Sequence, residues 1–133
     1  ADIEAQGKFR SAFGLRPLHL AAREGHTAVT ALLMEFRADK NVHATKGSTV
    51  LWQAVHAGHT DVVVALLTAE ADVNLRNADK FGRVPLMQAV KHDSLALVSL
   101  LVGAMADVDI EDGNGLTCLD YCTRNDTQVS RFI

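Results

Sequence analysis

The stretch "GLRPLHLAAREGHTAVTALLMEFRADKN" (residues 14–41) decides the fold, because the chain repeats it. The stretch "GSTVLWQAVHAGHTDVVVALLTAEADVN" (residues 47–74) aligns with it without a gap, 33 residues later. Gly25 and His26 of the first copy recur as Gly58 and His59 of the second. Similarity within one chain at a fixed spacing is typical of proteins built from stacked units.

The repeat extends over the whole chain. A third copy, "GRVPLMQAVKHDSLALVSLLVGAMADVD" (residues 82–109), begins 35 residues after the second, with two additional residues in "NADKF". A fourth, "GLTCLDYCTRNDTQVSRFI", stops partway, and the opening "ADIEA" matches "ADVNL" further along. We therefore expect one domain with these parts: 1–13, the tail of a preceding repeat and a linker; 14–46, 47–81 and 82–114, three repeats; and 115–133, a partial repeat.

Each copy predicts a pair of short helices. Pro17 and Pro85 suit the first position of a helix, where the missing N–H costs nothing. Apolar residues then follow at the i, i+3, i+4 spacing of one helical face, and Gly25 and Gly58 suit a left-handed cap. A more apolar second helix follows, such as "TDVVVALLTA". Because helices this short do not close a core alone, the units must stack, and the expected fold is an all-α solenoid.

The motifs "RPLHLAAREGH", "TVLWQAVHAGH", "ADVN" and "ADVD" resemble those of ankyrin-repeat domains. The resemblance covers essentially the whole chain. It implies stacked helix-turn-helix units joined by β-hairpin-like turns, with about three full repeats and partial repeats at both ends.

The chain departs from the family pattern at several positions. Arg37, Glu70 and Met105 stand where the family usually has Gly before the A-D-V-N motif. If these residues are held at positive φ, each costs about 1 kcal/mol relative to Gly. Asp93 replaces the helix-ending Gly, and Cys118 replaces the motif Pro. We expect the C-terminal end to be the less stable one.

Composition and charge exclude several classes of function. Hydrophobic residues make up 48% of the chain and aromatic residues only 5%, which suits slim, closely packed helices. A net charge of -3 predicts no nucleic-acid partner. The longest apolar run, "LALVSLLVGAMA", falls short of the roughly 20 residues that span a bilayer. Two cysteines favour a reducing, intracellular and cytoplasmic setting, and we expect a monomer in isolation.

The sequence offers little for metal binding or catalysis. The resemblance assigns His19, His26 and His59 to hydrogen bonds that tie turns together. A metal at the His56/His59 pair would lack the third ligand that zinc needs. The two cysteines, Cys118 and Cys122, are expected to be small buried apolar groups, and there is no nucleophile triad or phosphate-binding loop. We expect neither an enzyme nor a bound cofactor or metal.

Trp52 takes the position of the motif His of the first helix. One interpretation is that it fills space between neighbouring first helices, with its indole N–H directed to a loop carbonyl. The other is that it faces a partner, since Trp is a frequent interface anchor. The two interpretations are compatible for a half-buried side chain.

The resemblance implies a module that binds a protein or peptide through its turn tips and the concave face of the first helices. Aromatic residues and Arg on that surface suit interface anchors, and the role is that of a scaffold, adaptor or inhibitor. The alternative is a regulatory segment of a larger enzyme or ion channel that contacts a neighbouring domain. The corresponding positions, together with Trp52, are Phe13, Leu15, Lys46, Ser48, Phe81, Arg83, Asn114 and Leu116 at the turn tips and Arg23, Glu24, His56, Lys91 and His92 at the helix ends.

Overall fold

The computed structural model describes the backbone of residues 17–36, 40–41, 43 and 47–125, and the side chains of those residues up to 122. Over this part of the chain the backbone forms seven helices. In chain order they are α1 (Pro17–Arg23), α2 (Thr27–Glu35), α3 (Val50–Ala57), α4 (Thr60–Thr68), α5 (Pro85–Lys91), α6 (Leu95–Gly103) and α7 (Cys118–Asn125).

Local sequence explains where these helices begin. Pro85 is the first residue of α5, as its fixed φ favours. The hydroxyl of Thr49 accepts the N–H of Trp52 at the start of α3, and Ser94 accepts the N–H of Leu97 at the start of α6. Each cap satisfies a donor that a helix leaves without a partner in its first turn.

The helix ends share one backbone pattern. After α3, Gly58 adopts the left-handed conformation with φ 78°, and the N–H of His59 returns to the carbonyl of Ala54 at 3.1 Å. The same return bond joins Ala71 to Leu66 and Ala106 to Leu101, each at 3.0 Å. This arrangement requires a positive φ at the residue before the returning N–H.

Two of the three predicted non-glycine positions are confirmed at positive φ. Glu70 has φ 64° and Met105 has φ 69°, while Arg37 lies outside the described residues. Asp93, which replaces the helix-ending Gly in the third repeat, has φ 53°. The repeat pattern therefore imposes the left-handed conformation even where the side chain opposes it.

The helices form two layers. The first helices of the repeats, α1, α3, α5 and α7, pack side by side in chain order, and the second helices, α2, α4 and α6, pack in the same order behind them. Between the layers lies one apolar core, built mostly from Ala, Val and Leu. The all-α solenoid predicted from the repeat is confirmed.

Hydrogen bonds between equivalent parts of neighbouring repeats reinforce the stack. The Nε2–H of His59 donates to the carbonyl of Arg23 at 2.9 Å, and that of His19 donates to the carbonyl of Ser48 at 3.2 Å. His43 makes a bond of the same kind to the carbonyl of Arg76 at 2.9 Å. The expected tying role is confirmed for His19 and His59, whereas the side chain of His26 is exposed.

The turns are joined in the same repeating way. The side-chain oxygen of Asn41 accepts the N–H of Asp72 at 2.9 Å, and that of Asn74 accepts the N–H of Asp107 at 2.8 Å. Near the turn tip, the N–H of Gly113 donates to the carbonyl of Phe81 at 2.6 Å. A Cβ atom on Gly113 would collide with the carbonyl oxygen of Lys80, so this close approach of two turns requires glycine.

Replacing the strained residues by glycine should stabilise the fold. Met105 is exposed and at positive φ, so Met105→Gly removes backbone strain without loss of a buried contact. We expect the free energy of unfolding in urea to rise by about 1 kcal/mol for Met105→Gly and for Glu70→Gly. Asp93→Gly should gain less, because Asp tolerates this conformation better.

The matched control is Ala104→Gly, one residue earlier at φ -90°. Glycine offers no relief of strain there and adds freedom to the unfolded chain, so the free energy of unfolding should fall. A decrease for Met105→Gly similar to that for Ala104→Gly would contradict the strain account.

Candidate partner-binding surface

A cluster of aromatic and polar side chains lies where α3 and α5 face solvent. Trp52 and His56 are four residues apart on α3, so their side chains lie on one face of the helix. Their rings stack in parallel, with centroids 4.8 Å apart and an interplanar angle of 8°. The ring of His92, at the end of α5, meets His56 edge to face at 5.6 Å. We call Trp52, His56, Gln88 and His92 the histidine cluster.

Gln88 joins the two histidines of the cluster. Its side-chain nitrogen lies 2.9 Å from Nδ1 of His56 and 2.7 Å from Nε2 of His92. An amide NH₂ group has two donors, so it can serve both rings when each presents an unprotonated nitrogen. Gln88 itself is only 3% exposed. A buried amide therefore positions two exposed imidazoles.

The surroundings of His56 favour its neutral form. Partial burial lowers the pKa of His56 below its ordinary value of 6.5, and the nearby positive groups His92 and Lys91 lower this pKa further. A neutral His56 is also what the contact with the Gln88 amide requires. Burial, the neighbouring positive groups and the contact with Gln88 therefore all favour a neutral His56.

The histidine cluster also holds polar atoms without partners among the described residues. These atoms are Nε1 of Trp52 and the side-chain oxygen of Gln88, both inaccessible to solvent. For the described part of the chain, the predicted bond from the Trp52 indole to a loop carbonyl is therefore wrong. The Trp52 ring instead packs flat on His56, and the packing gained by this stacking offsets part of the cost of an unpaired N–H.

A second cluster lies at the tip of the turn between α4 and α5. The ring of Phe81 is 38% exposed. The ammonium nitrogen of Lys80 lies 5.1 Å from the ring centre and the guanidinium carbon of Arg83 lies 4.8 Å from it. These distances are within the range of cation–π attraction. Phe81 is thus an exposed aromatic ring with two cations close to it.

Asp112 anchors the neighbouring turn. Its carboxylate accepts the hydroxyl of Tyr121 and the backbone N–H groups of Asn114 and Leu116, the latter two at 2.8 and 2.9 Å. Burial raises the pKa of Asp112, but these hydrogen bonds and the positive Arg83 outweigh that effect, so the pKa lies below its ordinary value. Asp112 therefore stays ionised and fixes the turn that contacts Phe81.

The remaining predicted positions divide into three groups. The guanidinium of Arg23 pairs with the carboxylate of Glu24 at 3.1 Å on the surface. Ser48 has a structural role, since its hydroxyl accepts the side-chain amide of Gln53 at 2.8 Å and its carbonyl accepts His19. The positions that lie outside the described residues are Phe13, Leu15 and Lys46.

Thiol and metal chemistry find no support in the described residues. Cys118 is 1% exposed, and burial, with the neighbouring Cys122, raises the pKa of its thiol to about 11. Cys122 is also buried, which confirms both as small apolar groups. The described residues hold no group of three or more His, Cys, Asp or Glu side chains that would fit a metal ion. They also hold no helix long and apolar enough to cross a bilayer.

Comparison with family models decides the classification. The model "Ankyrin repeats (3 copies)" matches residues 1–77, and the model "Ankyrin repeat" matches residues 81–113. This chain belongs to the ankyrin-repeat family. Ankyrin repeats are protein-interaction modules, and their fold is not a catalytic one.

The ankyrin repeats of this chain resemble segments of much longer proteins. They are 30% identical over 126 residues to the nuclear factor NF-kappa-B p105 subunit of Mus musculus, covering 91% of this chain and 13% of that protein. They are 29% identical over 113 residues to a transient receptor potential cation channel subfamily A member 1 homolog of Caenorhabditis elegans, covering 85% of this chain and 9% of that protein. They are 35% identical over 109 residues to neurogenic locus notch homolog protein 1 of Xenopus tropicalis, covering 81% of this chain and 4% of that protein.

Gln88 is the cluster residue that the sequence prediction missed. A signal for it exists, because Gln53 and Gln88 occupy the same repeat position, where the first copy has the apolar Leu20. A buried amide at a position that accepts Leu indicates a hydrogen-bonding role. Which side chains it would contact depends on the packing of α3 against α5, which the repeat spacing alone does not define.

The histidine cluster should make stability depend on pH. Because the folded pKa of His56 is lower than its unfolded value, the unfolded chain binds more protons once the pH falls below 6.5. The contribution of His56 to the free energy of unfolding should therefore be fully present above pH 6.5. The free energy of unfolding should fall as the pH is lowered below 6.5. Urea denaturation at pH 7.5 and 5.5 measures the change.

His56→Gln is the control for this pH effect. It keeps a polar side chain at the position but removes the titrating ring, so the loss of stability at low pH should be smaller than in the wild type. An NMR titration should place the His56 pKa below 6.5. An equal pH dependence in both proteins would show that His56 does not cause it.

Proposed function

We propose that this ankyrin-repeat domain binds a protein or peptide partner through its turn tips and the concave face lined by the first helices. The observation that carries this proposal is the exposed ring of Phe81, with Lys80 and Arg83 close to it. Aromatic residues, Phe among them, and Arg are enriched in protein interfaces. The domain would act as a scaffold, adaptor or inhibitor.

The histidine cluster supplies the second part of this surface. His56 and His92 are exposed, while Gln88 beneath them is buried. Side chains held in place before binding lose less rotamer freedom when a partner arrives. The stack of Trp52 on His56 and the amide contacts of Gln88 therefore support a preorganised contact area.

The charges favour a partner with carboxylate groups opposite the turn tip and α5. Lys80 and Lys91 are exposed, and the carboxylates nearest Phe81, those of Asp79 and Asp112, accept backbone N–H groups of their own turns. Near Phe81 the ammonium of Lys80 is available to pair with an acidic residue that flanks an apolar anchor. An acidic peptide segment with one large apolar side chain fits this description.

A regulatory role within a longer protein is the second candidate. Its support is that the chain spans only 9% of the cation channel homolog of Caenorhabditis elegans and 13% of the mouse p105 subunit. In that case the partner is a neighbouring domain of the same chain, and the same surface would make the contact.

The test compares truncations of exposed side chains on the two helix layers. Phe81→Ala combined with His92→Ala changes the proposed surface, whereas Leu32→Ala changes an exposed residue of α2 in the other helix layer. At least one protein captured from the source cell by the wild type should be lost with the double variant and kept with Leu32→Ala. Quantitative mass spectrometry of the three captures measures this.

The thermal unfolding curve of each variant, followed by far-UV circular dichroism, checks the fold. Both are expected to melt close to the wild type, since Phe81 and His92 are partly exposed. If no captured protein depends on the Phe81/His92 pair, the proposed surface is wrong.

A further inference from the structure

The outward side of the second-helix layer is unusually poor in charge. The helices α2, α4 and α6 have nine residues each, and the charged residues among them are Glu35 and Asp61. A helix that faces water on one side usually carries charged and polar residues there. This layer therefore lacks the composition of a surface that remains in water.

Large apolar side chains occupy the outward side instead. Leu32 is 50% exposed, Phe36 68%, Val64 44% and Met105 83%. They lie on or directly after the second helices of three successive repeats, and we call these four residues the apolar band. Exposed apolar surface that recurs along one layer is typical of contact sites on folded proteins.

Two grooves run between these helices. The first, of about 420 Å³, lies between α2 and α4 and is lined by Ala31, Met34, Glu35, Ala65, Thr68 and Ala69. The second, of about 370 Å³, lies between α4 and α6, with Val64, Leu100 and Gly103 among its lining residues. Each has room for one or two large apolar side chains. We call them the outer grooves.

The spacing of the outer grooves suits a helix. Packed helices lie about 8–10 Å apart, so grooves on either side of α4 are separated by a similar distance. A partner helix that crosses the layer rises about 1.5 Å per residue. Two of its side chains seven residues apart are then separated by about 10.5 Å and fit both grooves.

The charges next to the outer grooves indicate which kind of partner helix binds there. Glu35 lines the first groove and Glu70 is exposed just beyond the end of α4, whereas the described helices of this layer contain no Lys or Arg. A basic side chain beside the apolar anchor can pair with these carboxylates. The same carboxylates disfavour a second copy of this layer and an anionic membrane, because like charges would meet at the contact.

We propose that the outer grooves bind a basic amphipathic helix of a partner protein, with apolar anchors seven residues apart and Lys or Arg beside the first anchor. This site is distinct from the one proposed above, since it lies on the other helix layer. Binding here and binding at Phe81 are independent and can occur together.

The test uses two designed peptides of about 18 residues, or about 27 Å of helix. Both have Leu anchors seven residues apart, and they differ only in having Arg or Glu beside the anchors. Fluorescence anisotropy is measured on the Phe81→Ala variant, so that an acidic peptide cannot bind at the proposed partner surface. The Arg peptide should bind with saturation and the Glu peptide about tenfold more weakly. Glu35→Lys should reverse this preference.

Matched tryptophan variants locate the contact. Ala31→Trp fills the first groove from an exposed position of α2 and should weaken the Arg peptide about tenfold. Ala28→Trp places the same side chain at an exposed position of α2 outside the groove and should leave binding unchanged. Phe81→Ala should also leave it unchanged, which separates this site from the proposed partner surface.

Three outcomes would overturn the proposal. One is that the Arg peptide does not bind or binds no better than the Glu peptide. Another is that Ala31→Trp and Ala28→Trp weaken it equally. The third is that analytical ultracentrifugation shows a dimer that Ala31→Trp dissociates, since the occupant would then be a second copy of this chain.

Discussion

The fold depends on one constraint, which is that no repeat can bury its apolar face alone. Each unit consists of two helices of seven to nine residues, too short to be stable in water without packing. Stacking removes Leu and Val side chains from water on both sides of a unit. Bonds between repeats, such as His59 to Arg23 and His43 to Arg76, then fix how far one unit is turned relative to the next.

This constraint leaves the two outer sides of the stack available for contacts with partners. The residues between the layers pack in the core, so only the outward sides of the helices and the turn tips are free to vary. One side carries Phe81 and the histidine cluster, and the other carries a nearly uncharged band with acidic residues beside it. The partners that we propose for the two sides therefore differ in charge, with an acidic segment on one side and a basic helix on the other.

The sequence predicted what the repeat itself determines. Helix starts at Pro17 and Pro85, the left-handed Glu70 and Met105 and the buried cysteines were all accessible from aligned positions. The histidine cluster was only partly accessible, because its contacts join α3 to α5 and depend on distances between repeats. In the sequence, Gln88 is one polar residue in an apolar pattern. Its role is evident only in the structure, where its amide contacts two imidazoles.

The most direct test of the stacking account uses Trp52, the only tryptophan of the chain, as a local probe. Leu101→Ala removes a fully buried side chain from α6, in the repeat after the one that contains Trp52, and should cost about 2–5 kcal/mol. If repeats are stable only together, Trp52 fluorescence and far-UV circular dichroism should shift to the same lower urea midpoint. An unchanged Trp52 transition beside a shifted circular dichroism signal would contradict the account.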